Sequence, residues 1–307
     1  APTFSKVSVR LGTTVTQNID ISFGGTWYNL GTWTSSSKKV TATASHNVVG
    51  KGSNNFYDLT ISAGTMTLTS LATADASLYV QGTLRIDGVL ACGGPNCVTV
   101  DGTWDNNNGA GGFTEGADPL STARGSRVVF GGTTVNMPDI DETFMDVEVK
   151  ATVSAVARAH YNINRTWWAS QDTFTPSTYT VTFDTVLEHN DGTNYDRGIL
   201  VGEGTFNNVH IVQGDLTNTP NKRLYGGSAV LKCNTLRVDN SEFILTGACT
   251  IKANTIVIST SAQCVNQSAL GIATFTDRGS KLSFTVKGSA ELDFNRINIK
   301  NLDNTGL

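Results

Sequence analysis

The strongest constraint on the fold of this chain is an internal repeat. A hexapeptide of the form Phe-x-x-(Leu/Val/Ile)-x-(Val/Ile) occurs four times, beginning at Phe56, Phe144, Phe206 and Phe294. The first and third copies are 150 residues apart (206 − 56), and so are the second and fourth (294 − 144). Self-similarity at a fixed spacing is typical of repeat architectures.

A second, unrelated motif has almost the same offset. Thr83-Leu-Arg-Ile-Asp-Gly88 matches Thr235-Leu-Arg-Val-Asp-Asn240 after 152 residues (235 − 83). Two independent motifs rarely agree this closely by chance, so the sequence indicates a tandem duplication of about 150 residues. The predicted organisation is a set of N-terminal capping or assembly strands over 1–24, a first repeat over 25–150 and a second over 151–307.

The composition favours short strands joined by tight turns. Of 307 residues 43 are Thr and 31 are Gly, and only 16% are charged. β-branched Thr suits a pleated surface, and Gly supplies the positive φ angles of tight turns. Apolar and polar residues alternate, as in Leu84/Ile86 and Leu236/Val238, and similar strands return after 20 residues, from Thr235 to Thr255. This spacing is the length of one coil of three short strands.

The predicted fold is therefore all-β, a right-handed parallel β-helix (β-solenoid) that carries the internal duplication. A single coil cannot bury its apolar side chains alone, so stacked coils share a continuous core. Two tandem β-sandwiches are the alternative, because short strands with tight turns are also typical of that fold.

Charge and hydropathy exclude two classes of partner. The net charge is −4 and Lys and Arg do not cluster, which predicts that the chain does not bind nucleic acid. No apolar run approaches the ~18 residues that a membrane-spanning helix needs, so no membrane span is predicted. The start at Ala1 is compatible with a mature secreted protein and equally with a cytosolic start.

Cysteines and sequons give candidate modification sites. Cys92 and Cys97 flank a Gly-Gly-Pro-Asn turn, which makes a local disulfide plausible, and two ordinary loop cysteines are the alternative. Asn164 and Asn266 begin the sequons Asn-Arg-Thr and Asn-Gln-Ser, which are candidate glycosylation sites.

One tryptophan is a candidate ligand contact. Trp27, Trp104 and Trp167 recur at a repeat position, which favours packing in the core. Adjacent strand residues face opposite sides, so Trp168 is expected to point outward, where it could stack on a sugar.

A single loop offers weak candidates for a metal site. Carboxylate and amide oxygens at alternating positions suit Ca²⁺, and a solvated hairpin tip at Asp191-Gly192 is the alternative. The candidate ligands are Glu188, Asn190, Asp191, Asn194 and Asp196. No other cofactor is predicted.

Catalysis is not predicted. The histidines lie far apart without metal-binding spacing, and we expect each to face solvent. Asp139, Asp141 and Glu142 could supply the acid/base pair of a polysaccharide-cleaving β-helix. An Asx-rich turn that caps a strand is the simpler interpretation, and the chain is predicted not to be an enzyme.

A family resemblance extends these predictions. Gly25-Thr-Trp27-Tyr-Asn29, the hexapeptide at Phe56 and the motif at Thr83 resemble repeats of bacterial, archaeal and phage surface proteins, which are similar to adhesin and tail-fibre β-solenoids. The resemblance covers about residues 25–300 and carries no catalytic residues. It implies an extracellular structural or adhesive subunit of a surface filament, cell envelope or virion appendage, with copies of itself and cell-surface glycans as partners. A polysaccharide-degrading or polysaccharide-binding β-helix protein is the alternative function.

Overall fold

The structure is a computed structural model that divides into two compact units, Ala1–Ala159 and His160–Leu307. The structure describes residues 1–50, 53–69, 77–92, 97–115, 127–150, 152, 154–169, 173–185, 198–213, 222–224, 230–239, 242–245, 249–259, 263–266, 273–276, 283–286, 291–292 and 297–299.

The described part of the first unit consists of short strands and one 3-10 turn at Gly109–Gly111. The strands are β1 (Thr3–Phe4), β2 (Val7–Val9), β3 (Thr14–Gln17), β4 (Ile21–Phe23), β5 (Trp27–Asn29), β6 (Thr32–Ser35), β7 (Lys39–Ala42), β8 (His46–Val49), β9 (Ser53–Phe56), β10 (Asp58–Ile61), β11 (Thr65–Thr69), β12 (Ser77–Val80), β13 (Thr83–Ile86), β14 (Val89–Cys92), β15 (Cys97–Val100), β16 (Thr103–Asn106), β17 (Phe113–Glu115), β18 (Arg127–Phe130), β19 (Thr134–Asn136), β20 (Glu142–Val149) and β21 (Ser154–Val156).

These strands form three parallel faces. The first face has the order β1-β4-β7-β10-β13-β16-β19-β21, the second β2-β5-β8-β11-β14-β17 and the third β3-β6-β9-β12-β15-β18-β20. Each face therefore takes one strand from successive coils, and Ile21, Val40 and Leu59 stack at a spacing of 19 residues (40 − 21 and 59 − 40). The predicted parallel β-helix is confirmed. The sandwich alternative is wrong, because sandwich sheets are antiparallel.

The core of the first unit lies between the three faces. Alternation along each strand turns one side chain inward and the next outward. In β13, Leu84 and Ile86 are fully buried, whereas Thr83 and Arg85 face outward. Parallel pairing in register then places Leu84 directly between Leu59 and Trp104 of the neighbouring coils, so apolar side chains form continuous columns.

The strands of the second unit are partly longer. They are β22 (Tyr161–Ala169), β23 (Phe174–Thr175), β24 (Thr180–Thr185), β25 (Gly198–Thr205), β26 (Asn208–Gln213), β27 (Lys222–Leu224), β28 (Val230–Asp239), β29 (Glu242–Leu245), β30 (Thr250–Ser259), β31 (Gln263–Asn266), β32 (Ala273–Thr276), β33 (Ser283–Val286), β34 (Glu291–Leu292) and β35 (Ile297–Ile299).

Long strands of the second unit contribute to two faces each. Residues 230–232 of β28 pair with β25, and residues 235–239 of the same strand pair with β26. A third set of pairings joins β25, β27, β29, β31 and β34. All of these pairings are parallel, so the second unit is also a solenoid. No described segment of either unit is a helix of the length and hydropathy that a membrane span requires.

The duplication is visible in the strand register. Leu59 of the first hexapeptide pairs with Leu84 of the Thr-Leu-Arg-Ile motif, and Val209 pairs with Leu236 in the same way. The second and fourth hexapeptides also resemble each other in their pairing, because the last residue of each pairs with a phenylalanine of a neighbouring strand. Val149 pairs with Phe130, and Ile299 pairs with Phe275.

Each repeated tryptophan packs edge-on against the hexapeptide phenylalanine that follows it. The ring centroids are 5.2 Å apart for Trp27 and Phe56, 6.1 Å for Trp104 and Phe144, and 5.4 Å for Trp167 and Phe206. Edge-to-face contacts of this kind add to the stabilisation from burial. These three tryptophans therefore lie in the core, as their repetition predicts.

A buried amide network crosses three coils of the first unit. The Asn54 side-chain carbonyl accepts hydrogen bonds from Trp27 Nε1 and from Asn29 Nδ2, both at 2.9 Å. Its Nδ2 group donates to the Ser77 carbonyl at 3.0 Å. Because Asn54 is only 1% exposed, water cannot replace these partners, and the network ties the second, third and fourth coils together.

Candidate assembly surface and polar clusters

One side of the first coil is not covered by any other strand of the described residues. We call residues 3–19, which contain β1, β2 and β3, the first-coil surface. One edge of each strand pairs with the second coil, for example Val7 with Trp27 and Val15 with Trp33. Along the opposite edges, no strand of the described residues pairs with β1, β2 or β3. An open edge is a template for pairing with another chain.

The hydrogen bonds show which backbone groups point to the open edge. Val7 N donates to Thr26 O at 3.1 Å, and Thr13 O accepts from Thr32 N at 2.9 Å. Val9 O likewise accepts from Leu30 N at 2.9 Å. In a parallel ladder, alternate residues direct their N–H and C=O groups to opposite neighbours. The backbone groups of Ser8, Thr14 and Thr16 therefore point away from the second coil, and all three residues are exposed.

The first-coil surface also carries exposed apolar side chains among its polar residues. Phe4, Leu11 and Ile19 are 42%, 74% and 57% exposed, and Tyr57 is the one other exposed large apolar side chain of the described residues. Phe4 pairs with Phe23, which is fully buried. An apolar core column thus continues to the surface, and exposed apolar area next to open strand edges is typical of an interaction site.

Side chains of the first coil hold its last strand against the third coil. Gln17 Nε2, at the end of β3, donates to Ile19 O at 2.8 Å and to Lys39 O at 3.0 Å. The Asp20 carboxylate accepts from Lys39 N at 2.9 Å. These bonds fix the exit of β3 against the third coil, so a partner would not have to order that end of the strand.

A buried carboxyl group forms a second polar cluster, where the chain passes from β19 directly to β20. Glu142 is 4% exposed, and its Oε1 accepts a hydrogen bond from Asn106 Nδ2 at 3.0 Å. Among the described residues, Oε2 has no partner. Burial raises the Glu142 pKa to about 8, and the Asn106 bond opposes this shift. The side chain is therefore protonated at neutral pH.

The other two acids of this cluster are exposed. Asp139 accepts a hydrogen bond from Asn106 N at 3.0 Å, so Asn106 contacts both Asp139 and Glu142. Asp141 lies on the same turn and faces solvent. Asp139 thus caps a backbone amide, and Glu142 is buried beneath the turn. That the chain is not an enzyme stays a prediction.

An arginine joins the neighbouring strands in the same region. Arg158 Nε donates to Met137 O at 2.7 Å, and Nη2 donates to Trp104 O and to Asp105 Oδ1, the latter at 2.8 Å. The guanidinium group thereby satisfies carbonyl groups from two other coils. Sequence reasoning missed Arg158, because the segment Val156-Ala157-Arg158-Ala159 carries no motif.

Replacing Arg158 with lysine is expected to lower the free energy of unfolding by about 1–3 kcal/mol, because one ammonium group cannot serve three separated acceptors. Urea denaturation measures this change. Arg85→Lys is the matched control, since Arg85 is more than half exposed and pairs with Asp87 at the surface. That control is expected to leave stability nearly unchanged, because an exposed ion pair contributes little. Equal effects of the two substitutions would contradict the role of Arg158.

One histidine departs from the sequence expectation. His46 is buried rather than solvent-facing. The centroids of its ring and of the Phe23 ring are 4.5 Å apart, and its Nδ1 lies 2.6 Å from Ala44 O. Burial lowers the His46 pKa, so the ring is neutral. The alternation of His46 with Val48 along β8 was the signal that could have revealed this. His160 is exposed. His210 is partly exposed, and its Nε2 lies 2.8 Å from Asp239 Oδ2.

The candidate ligand contact and the sequons stay predictions. Trp167 is fully buried and Trp168 is half-buried in the same strand, β22. Asn164 is also half-buried in β22, whereas Asn266 lies in β31 and its side chain is outside the described part of the structure.

The predicted disulfide and the calcium loop are not tested either. Cys92 is buried at the end of β14, and the side chain of Cys97 is not among those described. Within the part of the chain that the structure describes, no three His, Cys, Asp or Glu residues cluster in a way that could hold a metal ion. The calcium candidates lie outside that part; they are Glu188, Asn190, Asp191, Asn194 and Asp196.

Comparison of the chain with family models, with curated proteins and with solved structures finds no match. A functional assignment therefore depends on the sequence and the geometry of this chain.

Proposed function

We propose that this protein is a structural or adhesive subunit of an extracellular surface assembly, such as a filament, a cell envelope or a virion appendage. It self-associates through the first-coil surface. The observation that carries the proposal is the combination of three open strand edges with exposed apolar side chains on one surface of the described residues. The extracellular setting is supported by the resemblance of the repeats to those of surface proteins.

The chemistry of the first-coil surface favours a second copy of the chain as the partner. Its charged residues are only Lys6 and Arg10, and the remainder offers backbone donors and acceptors, uncharged polar side chains and the three exposed apolar side chains. A partner that satisfies these groups needs an open strand edge and exposed apolar side chains of its own. The first coil of a second copy provides both. Symmetric self-association is the commonest way in which soluble chains use such a surface.

Blocking the open edge tests the proposal. Thr16→Pro removes a backbone N–H that points outward, so intramolecular hydrogen bonds are retained while the edge loses a donor. We expect self-association to weaken at least tenfold, which corresponds to about 1.4 kcal/mol. Light scattering over a concentration series measures the assembled mass, and electron microscopy shows its form.

Thr16→Val is the matched control, because it removes the hydroxyl and keeps the backbone donor. It is expected to assemble like the wild type, and both variants are expected to retain the circular dichroism spectrum of the folded protein. Assembly of Thr16→Pro at the wild-type level would show that the first-coil surface is not the interface. A wild-type chain that stays monomeric at every concentration would overturn the proposed function.

A further inference from the structure

We infer that two copies of this chain pair first coil to first coil, antiparallel, about a two-fold axis through Val15. The inference rests on the proposed function, because it specifies how the first-coil surface self-associates. It follows from the symmetry of β3, from the direction of its backbone groups and from the order of the strands around the coil.

The sequence of β3 is symmetric about its second residue. Thr14-Val15-Thr16 reads the same in both directions, and both threonines are exposed while Val15 is half-buried. An antiparallel pair centred on Val15 places Thr14 of one copy opposite Thr16 of the other. Both members of each such pair have the same side-chain type, and Thr–Thr pairs across an antiparallel ladder are favourable.

The backbone groups agree with this register. Thr14 and Thr16 direct their N–H and C=O groups to the open edge, whereas Val15 directs its groups to the second coil. Residues that face each other as a hydrogen-bonded antiparallel pair exchange two bonds. Two such pairs across the axis give four hydrogen bonds between the copies. A shift of one residue would oppose a threonine to a residue whose groups point away, and the bonds would be lost.

The same register covers the apolar side chains of the third face. Val15 pairs with Trp33 of the second coil, and Trp33 is buried. At the two-fold axis, Val15 would meet its own copy as a non-hydrogen-bonded pair, in which side chains approach closely. The apolar column that now ends at a half-buried valine would then continue into the second copy.

The other two strands of the coil complete the interface. The chain passes through β1, β2 and β3 in order around the coil, and a two-fold axis perpendicular to the solenoid axis reverses that order. When β3 meets β3, β1 of one copy therefore meets β2 of the other. Exposed Phe4 of β1 would be covered by this contact, beside the outward backbone groups of Ser8 in β2. The interface closes on itself, so this contact alone gives a dimer, and the dimer would be the building block that a larger assembly joins through a further surface.

A single new cysteine tests the two-fold axis. In a non-hydrogen-bonded antiparallel pair the Cα atoms are about 4.5 Å apart, which lies within the roughly 4.4–6.8 Å that a disulfide spans. Val15→Cys is therefore expected to form a disulfide-linked dimer under mild oxidation, with most of the protein in the dimer band of a non-reducing gel. Reductant should restore the monomer band. In a head-to-tail stack only one of the two contacting coils is a first coil, so no such link forms.

Two controls run beside this variant. Asn47→Cys adds a thiol at an exposed position of β8, away from the first coil, and is expected not to link. The wild type accounts for the native cysteines. If Val15→Cys fails to link while the wild type assembles and Thr16→Pro does not, the two-fold pairing is wrong and self-association through the first coil stands. If the wild type is monomeric throughout, both proposals fail.

Discussion

Replacing Asn54 with leucine is expected to lower the free energy of unfolding by about 3–5 kcal/mol. The substitution removes the acceptor of Trp27 Nε1 and of Asn29 Nδ2 and the donor to Ser77 O. Each buried polar group left without a partner is destabilising by about 1–3 kcal/mol. Leucine has the same branched arrangement of four side-chain heavy atoms as asparagine and favours strands no less, so the loss of these hydrogen bonds is the main change.

Urea denaturation of the full chain measures this loss, and Asn55→Leu is the matched control. Asn55 is the next residue of β9, half-buried on the outer side of the strand. Substitutions at such positions usually change stability by less than about 0.5 kcal/mol. If the two leucine variants were equally stable, the network would not hold the coils together as we describe.

The second large effect is a fall in stability as the pH rises from about 5 to 8, caused by Glu142. The folded-state pKa of about 8 lies above the ordinary value of 4.5. Below pH 4.5 the carboxyl group is protonated in both states, and its contribution to stability is complete. Between the two values the unfolded chain releases the proton and the folded chain retains it, so stability declines with pH. We expect a total loss of roughly 2–4 kcal/mol.

Glu142→Gln removes this titration and retains the oxygen that accepts from Asn106. The free energy of unfolding of the variant is expected to equal that of the wild type near pH 5. At pH 8 it is expected to exceed the wild-type value by the free energy that the wild type has lost. Urea denaturation at several pH values measures both curves. Asp141→Asn, at an exposed position of the same turn, is expected to parallel the wild type. A pH dependence of Glu142→Gln as steep as that of the wild type would mean that another group is responsible.

The repeat arithmetic predicted the fold because stacking in a solenoid depends on local patterns. The hexapeptide at Phe56 and the Thr83 motif pair with each other in the first unit, and their copies at Phe206 and Thr235 do so in the second. The spacing of each tryptophan from the next hexapeptide phenylalanine likewise corresponds to a ring contact. Such features follow from period-two alternation and from repetition, and both can be observed directly in the sequence.

The polar clusters could not be predicted in the same way. Coils of this chain differ in length, since Leu84 pairs with Trp104 after 20 residues (104 − 84) and Thr103 pairs with Asn136 after 33 (136 − 103). Without the coil lengths, the sequence does not show which residue lies beside Asn106. Glu142 is then indistinguishable from the exposed acids of the same turn. Arg158 was missed for the same reason, because its acceptors lie in other coils.

The sequence by itself determined that this chain forms stacked parallel coils, because alternation and repetition specify which side chains face the core. Only the tertiary structure decided which polar groups share that core and which strand edges are left open. The coil lengths decide which residues lie beside Asn54 and Glu142 and bury them. They also decide that the edge of β3 is left open. Burial and unpaired backbone groups are properties of the stack of coils, and no single coil contains them.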